Sequence, residues 1–189
     1  MLRLLQDAEV VAVDTEGTDA KLTDIRAGTG FSYGISVALM HDNSIYSCYF
    51  PVAHTEGNIT EEMLDELIAL LLSRPTIVMH NAKYDLEAFR TIKKCEPLSR
   101  IRNYYCTMLM AHMINENWPS KSLDWLSKNL LKTPGKAKPP MFEFCLTAYG
   151  WSPQFPVDVM GPYSAMDTEL TLMLFFFLIK EFKKQGFDG

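Results

Sequence analysis

The chain has 189 residues, of which 48% are hydrophobic and 22% charged, with a net charge of −5. These values fit one globular unit with a good core and argue against the disordered and membrane classes. The acidic balance also excludes broad electrostatic wrapping of a duplex, though not the gripping of a single strand end through a metal.

The first elements form a meander. Residues 10–16 (VVAVDTE), 31–39 and 44–52 are rich in β-branched and aromatic residues and predict strands, with HDNS (41–44) as the turn joining the second to the third. The period then changes. Thr60 is a good N-cap, Glu61 and Glu62 suit a first helical turn, and Met63, Leu64, Leu67, Ile68 and Leu71 share one face up to the stop at Pro75. A buried strand follows at 76–81, a helix at 84–94 and a short strand at 100–106. Helices are expected at 108–114, 122–131 and 142–150, and a long one from about 158 to 183. The Pro/Gly/Lys-rich segment 132–140 (KTPGKAKPP) predicts a solvated, mobile loop. Alternation of strand and helix makes the chain α/β, read as one unit over 1–189.

Several features bound the setting. The greasiest run, LTLMLFFFLI (170–179), is about half a bilayer crossing and reads as a buried helix, so no membrane partner is expected. No basic segment followed by a cleavable apolar stretch opens the chain, which predicts an intracellular, cytoplasmic protein. Cys48, Cys95, Cys106 and Cys145 are scattered without a C-x-x-C pair, so free thiols are expected rather than zinc or disulfides.

Asp-x-Glu occurs four times: Asp7/Glu9, Asp14/Glu16, Asp85/Glu87 and Asp167/Glu169. Residues two apart on a strand share a face, roughly 6.6 Å apart along the backbone, whereas on a helix they diverge by about 200°. Only Asp14/Glu16 lies on a predicted strand, so only that pair can converge on one ion. Glu87 and Glu169 are expected to be solvated, while Asp85 and Asp167 remain open as single ligands. Asp85 opens a helix after a buried strand ending at Asn81, where ligands of α/β proteins bind. Tyr163 and Asp167, four apart on a helix, point the same way.

In order along the chain, DTE (14–16), HNAKYD (80–85) and YSAMD (163–167) resemble the three motifs of the DEDDy group of 3′ to 5′ exonucleases. Within that group the resemblance is to the proofreading domain of bacterial and phage family A DNA polymerases, supported by YFPVAH (49–54), CTML (106–109) and SLDWLSKNLL (122–131). It implies a ribonuclease H-like fold, a mixed central sheet flanked by helices. It also implies that Asp14, Glu16, Asp85 and Asp167 hold two divalent cations, Mg²⁺ or Mn²⁺, with Tyr163 orienting the attacking water. An unperturbed phenol with pKa about 10 is protonated at neutral pH and suits that role better than that of a strong base.

Substrate contacts are expected from Thr15, Asn81 and Tyr84, with Phe155, Trp151 and Lys121 as further candidates. Lys132, Lys136 and Lys138 are read as a solvated loop, and His54, His80 and His112 as structural. The implied substrate is a single-stranded DNA 3′ end in a bacterial or phage-infected cell, with a polymerase domain or subunit as a possible partner. An RNase D-like exoribonuclease and an inactive binding module are the alternatives. Cys106 departs from the family pattern, where an aspartate outside the catalytic four is common.

Overall fold

The structure is a computed structural model that describes residues 1–18, 22–136 and 138–186, with Leu22 described by its backbone only. Ala137, inside the expected loop, lies outside the described residues. A short helix α1 (Leu2–Leu5) leads into β1 (Val10–Gly17), followed by α2 (Leu22–Ala27), β2 (Ser32–His41) and β3 (Ser44–Pro51). Next come α3 (Glu61–Leu72), β4 (Thr76–Met79), α4 (Ala82–Ala88), β5 (Tyr104–Cys106) and α5 (Thr107–Ile114). The chain ends with α6 (Leu123–Leu126), which widens into a π-type turn at Ser127–Leu131, then α7 (Pro140–Tyr149) and α8 (Val157–Lys184).

The five strands lie in the order β3-β2-β1-β4-β5. The expected meander forms the antiparallel half, and β4 and β5 add parallel strands beside β1. Asp42 and Asn43 both have positive φ, the conformation a two-residue hairpin turn with the twist of its strands demands. β1 is central, yet β4 pairs only with Val10, Val11 and Ala12. The second half of β1 is therefore open on that side, and the chain leaving β4 turns over the gap into α4.

Alternation along β1 assigns its side chains to two layers. Val11 and Val13 pack with Ile35, Val37, Leu67 and Phe89 beneath α1 and α3. Ala12, with Ala38 and Val78, faces the other way, against Leu170, Leu174 and Leu178 of α8. These small residues let α8 lie close to the sheet. By length and composition α8 could cross a bilayer, being 28 residues long. In the fold its apolar face is buried against β1, β2 and β3.

Most expected elements occur, with differences at their edges. In α3 the Thr60 hydroxyl accepts from the Met63 N–H at 3.3 Å, while Leu64, Leu67, Ile68 and Leu71 are buried and Met63 is exposed. The helix expected over 84–94 starts earlier and is shorter, giving way to a 3₁₀ turn at Phe89–Thr91. α1, α2 and a 3₁₀ turn at Glu96–Arg100 were not expected, being too short to show a period. Cys48, Cys95, Cys106 and Cys145 are free, as expected.

Gly34 faces the same layer as Glu16, its partner across β1 and β2. The Tyr49 ring lies directly over it, filling the space a Cβ would take. Gly34→Ala is predicted to overpack this contact and cost about 1–3 kcal/mol of stability, measured by urea denaturation; an unchanged midpoint would contradict the packing.

Candidate metal and nucleic-acid site

The open end of β1 builds the site. Asp14 and Glu16 project to the α8 side, where Asp167 rises from the helix, and one carboxylate oxygen from each of these three residues lies within 4.8 Å of the other two. Thr15 projects to the opposite side and is buried against α4. Its N–H and its hydroxyl both donate to Asp85 Oδ1, at 3.1 and 2.8 Å. The same strand thus places two acids directly and positions a third through the residue between them. A register shift between Glu16 and Gly17 ends the regular pairing just past the acids.

Around these groups lies a cleft of 440 Å³, lined also by Asn81, Tyr84, Trp151 and Tyr163. Tyr163 is stacked on Phe142, with ring centroids 4.1 Å apart, one turn of α8 before Asp167. Asn81 adopts a left-handed conformation at the start of α4, which turns the chain sharply into the helix and leaves its side chain exposed at the cleft.

The electrostatics follow from burial and then from crowding. Burial first, and then the neighbouring Asp167 charge, push the Asp14 carboxyl up to about 7. Burial and the Asp14 charge raise Glu16 and Asp85 well above the usual carboxylate range, the two Thr15 bonds to Asp85 only partly opposing this. Asp167 is raised by burial and eased by Lys136, whose ammonium forms an ion pair with Oδ2. Burial, and then the Lys136 charge, lower His80 to about 4, so it is neutral at neutral pH.

These residues fit hard divalent cations. The donor set is all oxygen, which suits Mg²⁺ or Mn²⁺. Asp167 Oδ1 is buried with no hydrogen-bond partner, an arrangement that is costly unless something binds there.

Other expected residues are placed differently. Phe155 is 1% exposed and packs on Phe142 in the core, so it is no base platform. Lys121 donates to the carbonyls of Glu116 and Trp118, away from the acids. Glu87 is not simply solvated but pairs with Arg26 and Arg90, and Glu169 accepts from Ser47. His54 is structural, linking Tyr49 Oη at 2.6 Å to the Phe155 carbonyl at 3.0 Å. Lys136 is the largest departure. Instead of belonging to a solvated loop it enters the cleft, with its Nζ 4.9 Å from the centre of the Tyr163 ring. Nothing in the sequence separates it from Lys132 or Lys138 except the glycine before it.

Comparison with solved structures places the fold. The chain is similar to Brucella melitensis NrnC bound to pGG (TM-score 0.63, 13% identity, covering 96% of this chain and 77% of that one). It is also similar to the Aedes aegypti Nibbler EXO domain (TM-score 0.65, 14% identity, 100% and 85%) and to Trypanosoma brucei RNase D complexed with RNA U12 (TM-score 0.66, 16% identity, 94% and 58%). The fold is thus ribonuclease H-like, as expected, and it carries an acidic cleft at the open end of its central strand.

Within that class the chain belongs to the 3′-5′ exonuclease family of DNA polymerase A type, whose model matches residues 1–183. Curated relatives include DNA polymerase I of Pseudomonas aeruginosa, 26% identical over 92% of this chain, and DNA polymerase DpoZ of Salmonella phage PMBT28, 28% identical over 96%. The chain spans 18% and 28% of the length of those two polymerases.

The raised Asp14 pKa has a sign that can be tested. Because the folded state holds this proton more tightly than an unfolded chain does, its contribution to stability is present near pH 4 and is lost as pH rises toward about 7. In chelator, Asp14→Asn is predicted to raise the melting temperature at pH 8 by roughly 2–4 °C. The gain should shrink on acidification, and a difference from wild type that does not grow between pH 5 and 8 would contradict the assignment.

Proposed function

We propose that this chain removes nucleotides from the 3′ end of single-stranded DNA, releasing nucleoside 5′-monophosphates, as the proofreading activity of a polymerase domain or subunit. The observation that carries this reading is the meeting of Asp14, Glu16 and Asp167 at the open end of β1, in a chain of the 3′-5′ exonuclease family. DNA is favoured over RNA because the curated relatives are DNA polymerases.

Asp14, Glu16, Asp85 and Asp167 would hold two divalent cations, Mg²⁺ or Mn²⁺. When bound, these supply the positive charge that draws in the scissile phosphate and favours a hydroxide nucleophile at neutral pH. Asp14, whose charge acts on both Glu16 and Asp85, would be the ligand common to the two ions. Tyr163, held against Phe142, orients the attacking water by a hydrogen bond; burial raises its pKa, so it keeps its proton. Asn81 and Tyr84, at the mouth of the cleft, contact the terminal nucleotides, and Trp151 offers a face for base stacking. Thr15 acts through Asp85, since its hydroxyl is already committed there.

With Mg²⁺ or Mn²⁺, the protein is expected to shorten a 5′-labelled DNA strand stepwise and to stop on addition of chelator. Asp14→Ala and Asp167→Ala should each lower the rate by at least about 10³-fold; full activity in both would sink the reading. Faster shortening of 5′-labelled RNA would instead assign an RNA substrate. Tyr163→Phe should slow turnover roughly 10²-fold while leaving metal affinity unchanged, and equal losses in the two would contradict the water-orienting role.

A further inference from the structure

Lys136 reaches the acids from a segment outside all three motifs, and its approach is built rather than incidental. Gly135 is buried with φ 77°, packed so closely on Asp124 and Lys128 that a Cβ there would clash. The Lys136 N–H donates to Asp124 Oδ1 at 2.9 Å, and the Thr133 N–H donates to the Ser127 carbonyl at 3.3 Å. Asp124 is itself held by Lys128 Nζ at 2.8 Å. With the backbone pinned in this way, the side chain extends over the Tyr163 ring and its ammonium pairs with Asp167 Oδ2. Lys138, two residues on, acts on Asp167 only from a distance, with its ammonium 5.8 Å from the Trp151 ring centre and 6.0 Å from that of Phe142.

A divalent ion shared by Asp14, Glu16 and Asp167 would compete with this ammonium for the same carboxylate. The ammonium sits on Oδ2 while Oδ1 is unpartnered, so a divalent ion at Oδ1 would meet the ammonium across a single carboxylate, and two cations that close repel each other strongly. The lysine has the means to yield, because its side chain is 26% exposed and its four-carbon stem is flexible.

We propose that the Lys136 ammonium is a resident counter-ion of the carboxylate cradle, which a divalent cation displaces from Asp167 while Gly135 and Asp124 keep the backbone of the segment in place. This rests on the acids being metal ligands. Lys136 neutralises part of a charge cluster that would otherwise repel itself and sets a threshold for metal entry.

Mn²⁺ titration by calorimetry, without nucleic acid and at neutral pH, tests this on wild type, K136M, K136R, K138M and D14A. K136M should bind Mn²⁺ roughly tenfold more tightly than wild type, with K136R and K138M within about twofold of it. Unchanged or weaker binding by K136M would overturn the counter-ion role, and an equal gain in K138M would reduce it to general surface charge. Failure of wild type to bind Mn²⁺, or equal binding by D14A, would overturn the metal reading instead.

Discussion

The two-residue period of β1 sends Asp14 and Glu16 to the face covered by α8 and Thr15 to the face covered by α4, and the rest of the cleft depends on that division. Because β4 pairs with β1 only as far as Ala12, the strand emerges past its neighbour with side chains of both faces available. Asp167 can then come from one layer and Asp85 from the other. A slip of one residue in the register with β2 would turn the acids into the α3 layer and Val13 toward α8, so the apolar packing that fixes the register also fixes the site.

Rigidity comes from the layers rather than from the acids. One apolar cluster lies under α1 and α3 and another under α8, and each includes alternate residues of β1. A third, around Phe142, Phe155 and Tyr163, wedges α7 against α8 beside the cleft. That packing buries the carboxylates and holds them together, and burial first, then their mutual repulsion, raises the affinity of Asp14, Glu16 and Asp85 for protons. The fold thus stores an unmet demand for positive charge in one place. The Lys136 ammonium already answers part of it at Asp167.

Residues beside the acids and the tyrosine carry part of the site's geometry. Thr15, between two acids, uses both its N–H and its hydroxyl to aim Asp85, seventy residues away in sequence. Phe142, from α7, sets the Tyr163 ring by stacking. Neither role follows from residue type: a threonine within a strand and a phenylalanine within a helix are ordinary choices for those elements.

The sequence by itself determined the meander, the long final helix and the pairing of Asp14 with Glu16, because periods of two and of 3.6 are local properties that residue type expresses directly. It also placed Asp85 after a buried strand and put Tyr163 and Asp167 on one helix face. Short elements such as α1 and α2 lacked the length to show a period. Burial of Phe155, the use of Lys121 as a cap for nearby carbonyls and the entry of Lys136 into the cleft were decided only by the tertiary structure. Each depends on which distant surface a side chain meets, and three lysines of one loop look alike until the fold pins Gly135 against Asp124 and leaves Asp167 within reach of only one of them.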